Sequence, residues 1–513
     1  MSINYNLYAA FDEISGRFSS KTVIETAEGV VYTYADLRSE SAKVANALVS
    51  LGCRKGDRVS VQIAKSPQAL FLYLGCLRAG CVFHPLNTGY KAHELDYFLS
   101  NAEPSVVVCD PADLSLIQEL ASLHGISNVL TLNADGSGSL SELVACNDSH
   151  FETAVCAPDD MASLLYSSGT TGVPKGIMLT HENLLSNGRT LVEFWGFSDR
   201  DVLLHALPIF HVHGLFVAVS CVLLAGGSMR WLSGFQIDQV LAELRHSTTM
   251  MGVPTYYTRL LADDRFGAEH AENMRLFVSG SAPLLEDTFY EFEARTGHRI
   301  LERYGMSETG MNTSNPLFGE RKAGTVGLPL PSVSVRVVDD YGVPLKSGGI
   351  GNIQVKGPNV FKGYWKLPEK TEQDFTSEGF FDTGDKGCFD NEGYLSIVGR
   401  AKDMVITGGL NVYPKEIELV IDELEGIVES AVIGVPHLDF GEAVIAVVVL
   451  KPGFPFDESE LISQIKDTLS SFKVPKRILV REELPRNTMG KVQKAVLRSE
   501  CESLFCDKKR ALN

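Results

Sequence analysis

Residues 166–176 read Tyr166-Ser-Ser-Gly-Thr-Thr-Gly-Val-Pro-Lys175-Gly176. An apolar run, Met161 to Leu165, precedes them, and Ile177 to His181 has the pattern of a second short strand. Two strands joined by hydroxyls, glycines and one lysine predict a hairpin that holds phosphate, because glycines let backbone N–H groups approach an anion. This is not a Walker A loop, in which Gly-Lys-Ser/Thr opens a helix. The alternative is a flexible hydrophilic hairpin without a ligand.

The composition limits the fold and the partners. A chain of 513 residues is longer than one hydrophobic core usually supports, so we expect two or more domains. Its 44% hydrophobic and 21% charged residues are ordinary for a globular protein. The net charge of −18 argues against general binding to nucleic acid or to an anionic membrane, which requires basic surface. An anionic substrate must therefore meet local positive charge.

Cysteine spacing and the chain ends indicate a compartment. The ten cysteines are scattered, without a CxxC pair or a Cys/His cluster of zinc spacing, which favours free thiols in a reducing compartment. The start, Met1 to Leu7, lacks the basic and apolar regions of a signal peptide, and Ala511-Leu512-Asn513 is no peroxisomal tail. The most apolar stretch, Leu215 to Ala225, is too short to span a bilayer. We expect a cytoplasmic protein with no membrane partner.

Strand-like and helix-like segments alternate through the first 320 residues. Arg58 to Ile63 alternates like a strand, Ser66 to Leu77 has a helical pattern, and Val106 to Asp110 is a further strand. Glu182 to Trp195 is predicted to be a helix and Leu276 to Gly280 a buried strand. Repeated strand–helix units of this length predict the α/β class, with parallel sheets, helical crossovers and chemistry at the strand ends.

The pattern changes from about residue 323. Short alternating runs with frequent Gly, Pro and Asp predict a small β-rich subdomain over about 323–400. An α+β pattern follows, with a helix near Pro414 to Leu424. We therefore predict a large N-terminal domain of residues 1–401 and a smaller C-terminal lid domain of residues 402–513. No long Pro/Ser linker separates them, so the joint near Lys402 is predicted to be a hinge.

Four further loops carry polar groups of suitable kinds. Residues 302–309, Glu-Arg-Tyr-Gly-Met-Ser-Glu-Thr, offer an aromatic face, a backbone-exposing glycine and a carboxylate suited to Mg²⁺. Asp385 lies in a tight turn suited to paired hydrogen bonds with ribose, and Arg400 offers a planar fork for ribose or phosphate. Lys491 follows a glycine on a loop near the end of the chain. Each feature alone is more simply a surface charge or a turn-former.

Together, in this order, the motifs closely resemble the acyl- and aryl-CoA synthetase family of adenylate-forming enzymes. The resemblance covers essentially the whole chain, and the motif at 166–176 is highly specific. It implies a lid domain that swivels on the large domain, and ATP, Mg²⁺ and coenzyme A as reactants. It also implies two half-reactions. A substrate carboxylate first attacks the α-phosphate of ATP and releases pyrophosphate, and a thiol then displaces AMP.

The resemblance also implies a role for each motif residue. Lys491 would bridge the attacking carboxylate and the α-phosphate, while Thr170 and Glu308 would bind Mg²⁺ and complete the catalytic set. The residues implied to bind ATP or AMP are Ser167, Ser168, Gly169, Thr170, Thr171, Gly172 and Lys175 at the phosphates, Gly280, Ser281, Ala282, Pro283, Tyr304, Gly305, Met306 and Ser307 around the adenine, Asp385 and Arg400 at the ribose, and Lys491.

The lid is implied to serve both half-reactions. Lys491 stands on it, so a rotation about Lys402 would remove this lysine after adenylation. The residues that the same rotation would bring to the thiol channel are Gly408, Gly409 and Leu410. The basic residues placed to meet the phosphates of CoA are Lys473, Lys476 and Arg477. A solvated charged face is the alternative for those three.

Segments around the predicted pocket resemble the malonate-using members of the family, which implies malonate as the acid. These segments are Ala206 to Gly214, Met274 to Gly280, Arg303 to Met306, Met311 to Pro316 and Pro485 to Lys494. The distal carboxylate of a dicarboxylate, once buried, needs a cation. Arg275 begins the strand that leads to Ser281, so its fork is predicted to bind that carboxylate, unless it lies at a strand's exposed end. The other residues predicted to contact the acid are His205, His211, His213, Ser279 and Met306.

Other interpretations stay open. Three aromatic residues near the pocket, Phe210, Phe216 and Phe277, are compatible with an aromatic acid, and Val212 leaves malonate against methylmalonate undecided. A free-standing adenylation module would pass its acyl group to a carrier protein, although no carrier domain is fused and the basic lid residues suit CoA. A nucleotide-binding protein without catalysis fits poorly with the full set of polar motif residues. Both a monomer and a homodimer are compatible with the sequence.

Overall fold

The structure, a computed structural model, describes residues 4–168, 173–282, 284, 286–400, 405–412, 414–485 and 492–505. Within these residues the strands form four sheets, three from strands that end by Arg400 and one from strands that begin at Val405. The predicted boundary between 401 and 402 and the hinge at Lys402 lie outside the described residues and stay predictions.

The described strands alternate with helices along most of the chain. In chain order the strands are β1 (Thr22–Thr26), β2 (Val31–Thr33), β3 (Arg58–Gln62), β4 (Val82–Pro85), β5 (Val106–Cys109), β6 (Asn128–Thr131), β7 (Met161–Ser168), β8 (Pro174–Thr180), β9 (Val202–His205), β10 (Ser228–Trp231), β11 (Thr249–Gly252), β12 (Leu276–Ser279), β13 (Leu301–Met306), β14 (Gly310–Ser314), β15 (Leu328–Pro329), β16 (Ser334–Val338), β17 (Gly351–Lys356), β18 (Gly363–Tyr364), β19 (Phe381–Phe389), β20 (Leu395–Arg400), β21 (Val405–Thr407), β22 (Leu410–Val412), β23 (Ile427–His437), β24 (Gly441–Leu450) and β25 (Arg477–Arg481).

The helices that cover these sheets are α1 (Leu7–Arg17), α2 (Tyr34–Ser50), α3 (Pro67–Ala79), α4 (Ala92–Ala102), α5 (Leu114–Leu123), α6 (Ser139–Ala145), α7 (His181–Phe194), α8 (Ser220–Ala225), α9 (Ile237–Leu244), α10 (Pro254–Ala262), α11 (Ala268–Ala271), α12 (Glu286–Thr296), α13 (Pro368–Asp374), α14 (Pro414–Asp422), α15 (Glu458–Thr468) and α16 (Lys494–Cys501). A 3₁₀ turn (Pro111–Asp113) and a π-helix (His213–Val219) complete the set among the described residues.

Two mostly parallel sheets confirm the α/β class predicted from the strand–helix alternation. A seven-stranded sheet has the order β18-β8-β7-β4-β3-β5-β6, and a nine-stranded sheet has the order β15-β14-β13-β12-β11-β9-β10-β1-β2. In the second sheet β1, β10, β9, β11, β12 and β13 are parallel, so their carboxyl ends share one edge. Loops from that edge are where a ligand site is expected in an open α/β sheet.

Helix α3 shows how local sequence places the core. The hydroxyl of Ser66 accepts a hydrogen bond from the Ala69 N–H, Pro67 occupies the first turn, and Gly80 ends the helix at φ 73°. A side chain at Gly80 would be strained in this left-handed conformation. Eleven α3 residues are buried, so the helix is covered on nearly every face. It belongs to a core that draws on both large sheets.

The apolar stretch Leu215 to Ala225 is helical, but it begins inside a π-helix. The segment His213–Val219 is a π-helix that continues directly into α8, and all seven of its residues are buried. The wider π turn is a rare conformation that occurs mostly at functional sites. Here it places His213 at the carboxyl-end edge of the nine-stranded sheet.

The predicted β-rich subdomain is only partly separate. Strands β16, β17, β19 and β20 form a four-stranded antiparallel sheet, but β15 pairs with β14 and β18 pairs with β8. This part of the chain is therefore joined by strand pairing to both large sheets. The later sheet, formed by β21 to β25, has its own core on each face, with α14 and α15 on one side and α16 on the other.

Two further sequence expectations concern thiols and membranes. The cysteines of the described residues are free thiols, and most are buried. Within the described part of the chain, no helix has both the length and the apolar character that a membrane span requires.

Candidate active site

The hairpin β7–β8 carries the predicted phosphate motif. Ser167 pairs in register with Lys175. The Ser167 hydroxyl lies 3.4 Å from Oε1 of Glu308, so the hairpin meets the 302–309 motif. Lys175 is buried, and its ammonium lies 5.0 Å from the centre of the Tyr364 ring. The predicted phosphate residues that lie outside the described part of the chain are Gly169, Thr170, Thr171 and Gly172, together with the side chain of Ser168.

Strand β13 brings the nucleotide motif to Asp385. The Tyr304 hydroxyl donates a hydrogen bond of 2.5 Å to Oδ2 of this buried aspartate. Asp385 pairs in register with Arg400, so strand pairing brings the two predicted ribose residues side by side. Gly305 is required by space, since a Cβ on it would lie 2.0 Å from the carbonyl oxygen of Gly310. These residues form a polar wall at the end of β13.

The loop after β12 is held in a strained turn. Ser281 has φ 71°, a left-handed conformation that costs a non-glycine residue on the order of 1–3 kcal/mol. Its hydroxyl lies 3.4 Å from Nδ1 of His213. The Leu284 N–H donates to Oε1 of Glu302 at 3.1 Å. Burial raises the pKa of Glu302 to about 8, so this carboxyl is largely protonated at neutral pH.

Arg303, which lies in the 302–309 motif but received no role from the sequence, is a buried cation at the same edge. It is 3% exposed, and its Nε and Nη2 have no hydrogen-bond partner among the described residues. The guanidinium packs against Gly280, where a Cβ would lie 2.4 Å from Cζ. Burial lowers the pKa of Arg303 to about 9, which leaves it charged at neutral pH. Because the neighbouring Glu302 is largely protonated, it does not neutralise this charge.

Two of the three predicted histidines, His211 and His213, are close enough to this cation for its charge to lower their pKa values. The His213 N–H donates to Nδ1 of His211 at 3.3 Å. Burial, with a smaller effect of Arg303, lowers the pKa of His211 to about 4 and moves that of His213 well below its ordinary value. Both imidazoles are therefore neutral near pH 7 and add no charge to the pocket.

His205 is held in the structure and is not available to a substrate in this arrangement. Its Nε2–H donates to the Gly214 carbonyl at 2.9 Å, so Nδ1 is the acceptor. The ammonium of Lys65 donates to that Nδ1 and to the His205 carbonyl, each at 2.7 Å. His205 also stacks on Trp231, with ring centres 4.8 Å apart. The sequence prediction that His205 contacts the acid is wrong, because both ring nitrogens already bind protein groups.

Arg275 lies at the opposite end of β12 from the site. Its guanidinium binds Asp201 at 2.6 and 2.9 Å and donates to the carbonyls of Trp195 and Gly196. Strand β12 starts at Leu276 and runs parallel to its neighbour β11. Arg275, which precedes it, therefore lies at the amino-end edge of the sheet, opposite the carboxyl-end loops. The predicted contact between Arg275 and a substrate carboxylate is wrong. Its fork is saturated by structural partners.

The remaining predicted acid and adenine residues lie around the same edge. Ser279 is fully buried, and its hydroxyl has no partner among the described residues. Met306 is half-buried against the main core at the end of β13. Ser307 lines a small cavity of about 90 Å³ together with Ser167 and His211. Ala282 is half-buried, whereas Pro283 lies outside the described residues.

The donors near Glu308 fit the magnesium ion that the family resemblance implies. A buried carboxylate beside the Ser167 hydroxyl offers hard oxygen ligands, which Mg²⁺ prefers, and substrate phosphates usually supply the rest. In the described residues no group of three or more His, Cys, Asp or Glu forms a metal cage. Thr170, the other predicted ligand, lies outside that part of the chain.

Comparison with known proteins decides the family. Residues 11–365 match the family model of the AMP-binding enzymes, and residues 416–491 match that of the AMP-binding enzyme C-terminal domain. The chain belongs to the AMP-binding acyl-CoA synthetase family. Members of this family are AMP-forming acid–CoA ligases, and use of ATP and CoA fits the family.

Individual relatives of this synthetase differ in their acids. A malonate–CoA ligase of Arabidopsis thaliana is 36% identical in an alignment of 544 positions, which spans 96% of this chain and 88% of the relative. A feruloyl-CoA synthase of an Amycolatopsis species is also 36% identical, over 92% of this chain and 94% of the relative. The ATP-bound crystal structure of MatB from Rhodopseudomonas palustris is 52% identical and has a TM-score of 0.77 over 98% of this chain and 100% of that chain.

The C-terminal unit of the synthetase closes over the site. A cavity of about 290 Å³ lies between the two units, lined by Gly408, Gly409 and Leu410 on one side and by His213 and Ser281, among others, on the other. Gly409 approaches so closely that a Cβ on it would lie 2.7 Å from Cγ1 of Val253. The predicted thiol-channel residues are thus adjacent to the loops of the nine-stranded sheet.

The three predicted phosphate-binding cations of the lid have different surroundings. Lys476 lines the 290 Å³ cavity, and its ammonium lies 4.9 Å from the Phe440 ring centre. Arg477 is tied to Glu458 at 2.8 Å on the surface. Lys473 is 3% exposed and bound to two carboxylates. The prediction that Lys473 meets a CoA phosphate is therefore wrong, whereas that for the half-exposed Arg477 stays a prediction. Lys491 lies outside the described residues.

Proposed function

We propose that this synthetase ligates malonate to coenzyme A in an ATP-dependent reaction. The reaction passes through a malonyl-adenylate and yields malonyl-CoA, AMP and pyrophosphate. The observation that carries the choice of acid is Arg303, a buried guanidinium with two nitrogens that lack partners among the described residues. A buried cation in this state is destabilising unless a ligand supplies the missing acceptors.

A dicarboxylate supplies the acceptors that Arg303 lacks. Its distal carboxylate would accept hydrogen bonds from the fork of Arg303 and from the neutral imidazoles of His211 and His213. Removing one partner of a buried ion pair typically costs about 3–5 kcal/mol. A monocarboxylate of the same size would leave the cation unpaired, so the pocket would discriminate strongly against it.

The other motif residues take the roles of a first half-reaction. Glu308 and the Ser167 hydroxyl would hold Mg²⁺, which neutralises charge on the phosphates during transfer. Lys175 would bind the leaving pyrophosphate, and Asp385 with Arg400 would bind the ribose. Lys491 would bring positive charge between the attacking carboxylate and the α-phosphate, where charge builds up in the transition state.

The arrangement of the C-terminal unit suits the second half-reaction. Gly408, Gly409 and Leu410 line the cavity through which a thiol would reach the adenylate. Glycines at 408 and 409, with φ 56° and 78°, let the backbone pass close to Val253 without a side chain in the way. Lys476 would pair with a phosphate of CoA at the cavity mouth.

The alternative acids are methylmalonate and aromatic acids. Phe210, Tyr256 and Phe440 line the 290 Å³ cavity, and a relative named for feruloyl-CoA is as similar in sequence as the malonate–CoA ligase of Arabidopsis. An aromatic monocarboxylic acid has no second carboxylate to pair with Arg303. We therefore propose malonate as the substrate. A cytoplasmic location, a monomeric or homodimeric state and transfer to a carrier protein stay predictions.

The deciding experiment is a panel of acids under identical conditions. Purified protein, Mg-ATP and CoA would be incubated with malonate, methylmalonate, acetate and coumarate, and thioester and pyrophosphate would be measured. We expect kcat/KM for malonate to exceed that for acetate by at least about 100-fold, the discrimination typical when a site's buried polar groups lose their partner. A higher kcat/KM for coumarate than for malonate would contradict the proposal.

A further inference from the structure

Lys473 forms the centre of a buried ion triad. Its ammonium lies 2.6 Å from Oε1 of Glu94 and 2.6 Å from Oε1 of Glu416. The three side chains are 3%, 4% and 10% exposed, respectively. Burial acts to lower the pKa of Lys473, but Glu416, Tyr90 and Glu94 raise it overall, so the ammonium stays charged.

One arm of the triad crosses between the two units. Glu94 belongs to α4 of the large unit, whereas Lys473 and Glu416 both belong to the C-terminal unit. The Glu94 arm joins residues 379 positions apart. The ammonium also lies 5.0 Å from the Tyr90 ring centre, beside α4. Movement of the C-terminal unit would break this arm and keep the Glu416 arm.

The triad lies at the active site. Lys473 and its neighbour Phe472 line the 90 Å³ cavity that Ser167, Ser307 and Leu410 also line. The position of the Glu94–Lys473 contact therefore fixes the position of the thiol-channel strand β22 relative to the phosphate hairpin. A second contact between the units, Arg259 with Asp439, is about 40% exposed at both side chains and is expected to contribute little.

Buried ion pairs of this kind specify an orientation more than they add stability. Removing charges from water costs several kcal/mol per ion, which the attraction between them roughly offsets. The contact is then close to neutral when formed, but any orientation that buries one partner without the other is strongly unfavourable. A pair that crosses a moving interface is thus suited to select one arrangement of the two units.

We propose that Lys473 is a positioning residue for the thioester-forming half-reaction. By binding Glu94 it holds the C-terminal unit in the orientation that places Gly408 to Leu410 beside the acyl-adenylate. Adenylation needs a different orientation and does not use this contact. The inference rests on the proposed two-step ligation, but not on malonate being the acid.

The test separates the two half-reactions in Glu94→Gln. Gln keeps the hydrogen bond that the Glu94 carboxylate accepts from the Lys91 N–H at the start of α4, while removing the charge. Glu416→Gln is the matched control, because it removes the arm that stays within one unit. We expect Glu94→Gln to slow single-turnover thioester formation from supplied acyl-adenylate by about tenfold or more. Its rate of ATP–pyrophosphate exchange should stay within about twofold of wild type.

Charge reversal provides the second arm of the test. Both charge reversals are made in the Glu416→Gln background, because a carboxylate at position 473 would otherwise face the Glu416 carboxylate. There, Glu94→Lys alone places two cations at the interface, whereas Glu94→Lys with Lys473→Glu restores one ion pair between the units. The double variant should recover thioester formation relative to Glu94→Lys, which shares any loss of capping at α4. Equal loss of both half-reactions in Glu94→Gln, the same split in Glu416→Gln, or no recovery in the double variant would overturn the inference.

The proposed acid can fail independently of this inference. If wild-type protein forms no malonyl-adenylate, the function proposed above is wrong. The same variants can then be assayed with whichever acid of the panel the wild type adenylates. A Glu94→Gln split between half-reactions with that acid would still support the role of Lys473.

Discussion

Arg275 precedes β12 and Arg303 lies in the neighbouring strand β13, and the two arginines differ in whether protein groups bind their guanidinium nitrogens. All three guanidinium nitrogens of Arg275 donate hydrogen bonds, to Asp201 and to two backbone carbonyls. Arg303 lies inside β13, where two nitrogens are buried without partners in the described residues. The first arginine stabilises the fold at the amino ends of the strands. The second leaves two nitrogens without a partner among the described residues at the carboxyl-end edge, where we propose that the substrate supplies the acceptors.

The largest expected effect is the loss of kcat/KM for malonate in the variant Arg303→Met. The variant removes the proposed partner of the distal carboxylate, so kcat/KM for malonate should fall by roughly 10²–10³-fold. Stability should be unchanged or higher, because replacing a buried unpaired ion by an apolar side chain is often stabilising. Steady-state kinetics and thermal unfolding measure the two quantities. A malonate KM close to wild type would remove Arg303 from the acid site.

Arg275→Met should show the reverse pattern. It leaves Asp201, whose side chain is 3% exposed, without its cation. We expect a loss of about 2–3 kcal/mol in the free energy of unfolding, less than for a fully buried pair because the Arg275 side chain is 32% exposed. The KM for malonate should stay near wild type. Urea unfolding and kinetics on the same preparation would reveal a substrate role if KM rose instead.

The same variant has a pH signature. Burial acts to raise the pKa of Asp201, but Arg275 and the Ser198 N–H hold it below its ordinary value of 3.8. A depressed pKa contributes stability that is present above the unfolded pKa and lost as pH falls through the folded pKa. The stability difference between wild type and Arg275→Met should therefore shrink below about pH 4. A constant difference from pH 7 to pH 3 would argue against this pairing.

A smaller effect on catalysis is expected for Glu302→Gln, a change at the residue before Arg303, and its main effect is on the pH dependence of stability. The pKa of Glu302 is raised from 4.5 to about 8 by burial, so the folded state binds a proton that the unfolded state has lost between these values. Wild-type stability should therefore fall as pH rises through that window. The amide has no proton to lose, so the stability of the variant relative to wild type should rise between pH 5 and pH 9, by up to about 4 kcal/mol.

Urea unfolding at both pH values measures this difference for Glu302→Gln. The amide oxygen can still accept a hydrogen bond from the Leu284 N–H. The loop after β12 should therefore keep its shape, and the KM for ATP should change little. Parallel stability curves for wild type and variant would show that Glu302 is ionised in the folded protein, and that Arg303 is then neutralised by it.

The smallest effect is expected for Lys65→Met, which acts through His205. Losing the two hydrogen bonds of Lys65 frees the His205 ring that ties β9 to Gly214. The loop that carries His211 should become less ordered, and kcat/KM for malonate should fall by about three- to tenfold. Lys21→Met is the matched control, since Lys21 also donates two hydrogen bonds, but to the carbonyls of Asp199 and Gly226, which precede β9 and β10 at the amino-end edge of the sheet. Equal kinetic losses in both variants would remove the specific role of Lys65.

Local patterns predicted much of the fold. Alternation and glycine positions placed β3, α3 and the hairpin β7–β8 within a few residues, because periodicity and turn chemistry are local properties. The nucleotide roles came from the family resemblance and stay predictions. Strand pairing brings two of those residues, Asp385 and Arg400, side by side.

The errors concern side chains whose partners come from distant elements: Arg275, Lys473 and His205. A cation in a sequence does not show whether a carboxylate from another element reaches it. Asp201 lies 74 positions from Arg275, and Glu94 lies 379 positions from Lys473. Strand direction contained one usable signal. Arg275 precedes a parallel strand whose carboxyl end carries the site, so it lies at the wrong edge of the sheet. Arg303 lies one position past the level at which β12 ends, beside Gly280, and therefore at the right edge.

The π-helix at His213–Val219 has a consequence for how this site tolerates change. Successive residues of an α-helix are rotated by about 100°, at 3.6 residues per turn. A π turn, closed by i→i+5 hydrogen bonds, holds roughly one more residue than an α turn. Deleting one residue from this segment would therefore tighten it to α and leave the chain before it close to its present orientation, while α8 stays anchored in the core. A single deletion here is expected to shift side chains within the turn that begins at His213 and to leave the fold intact.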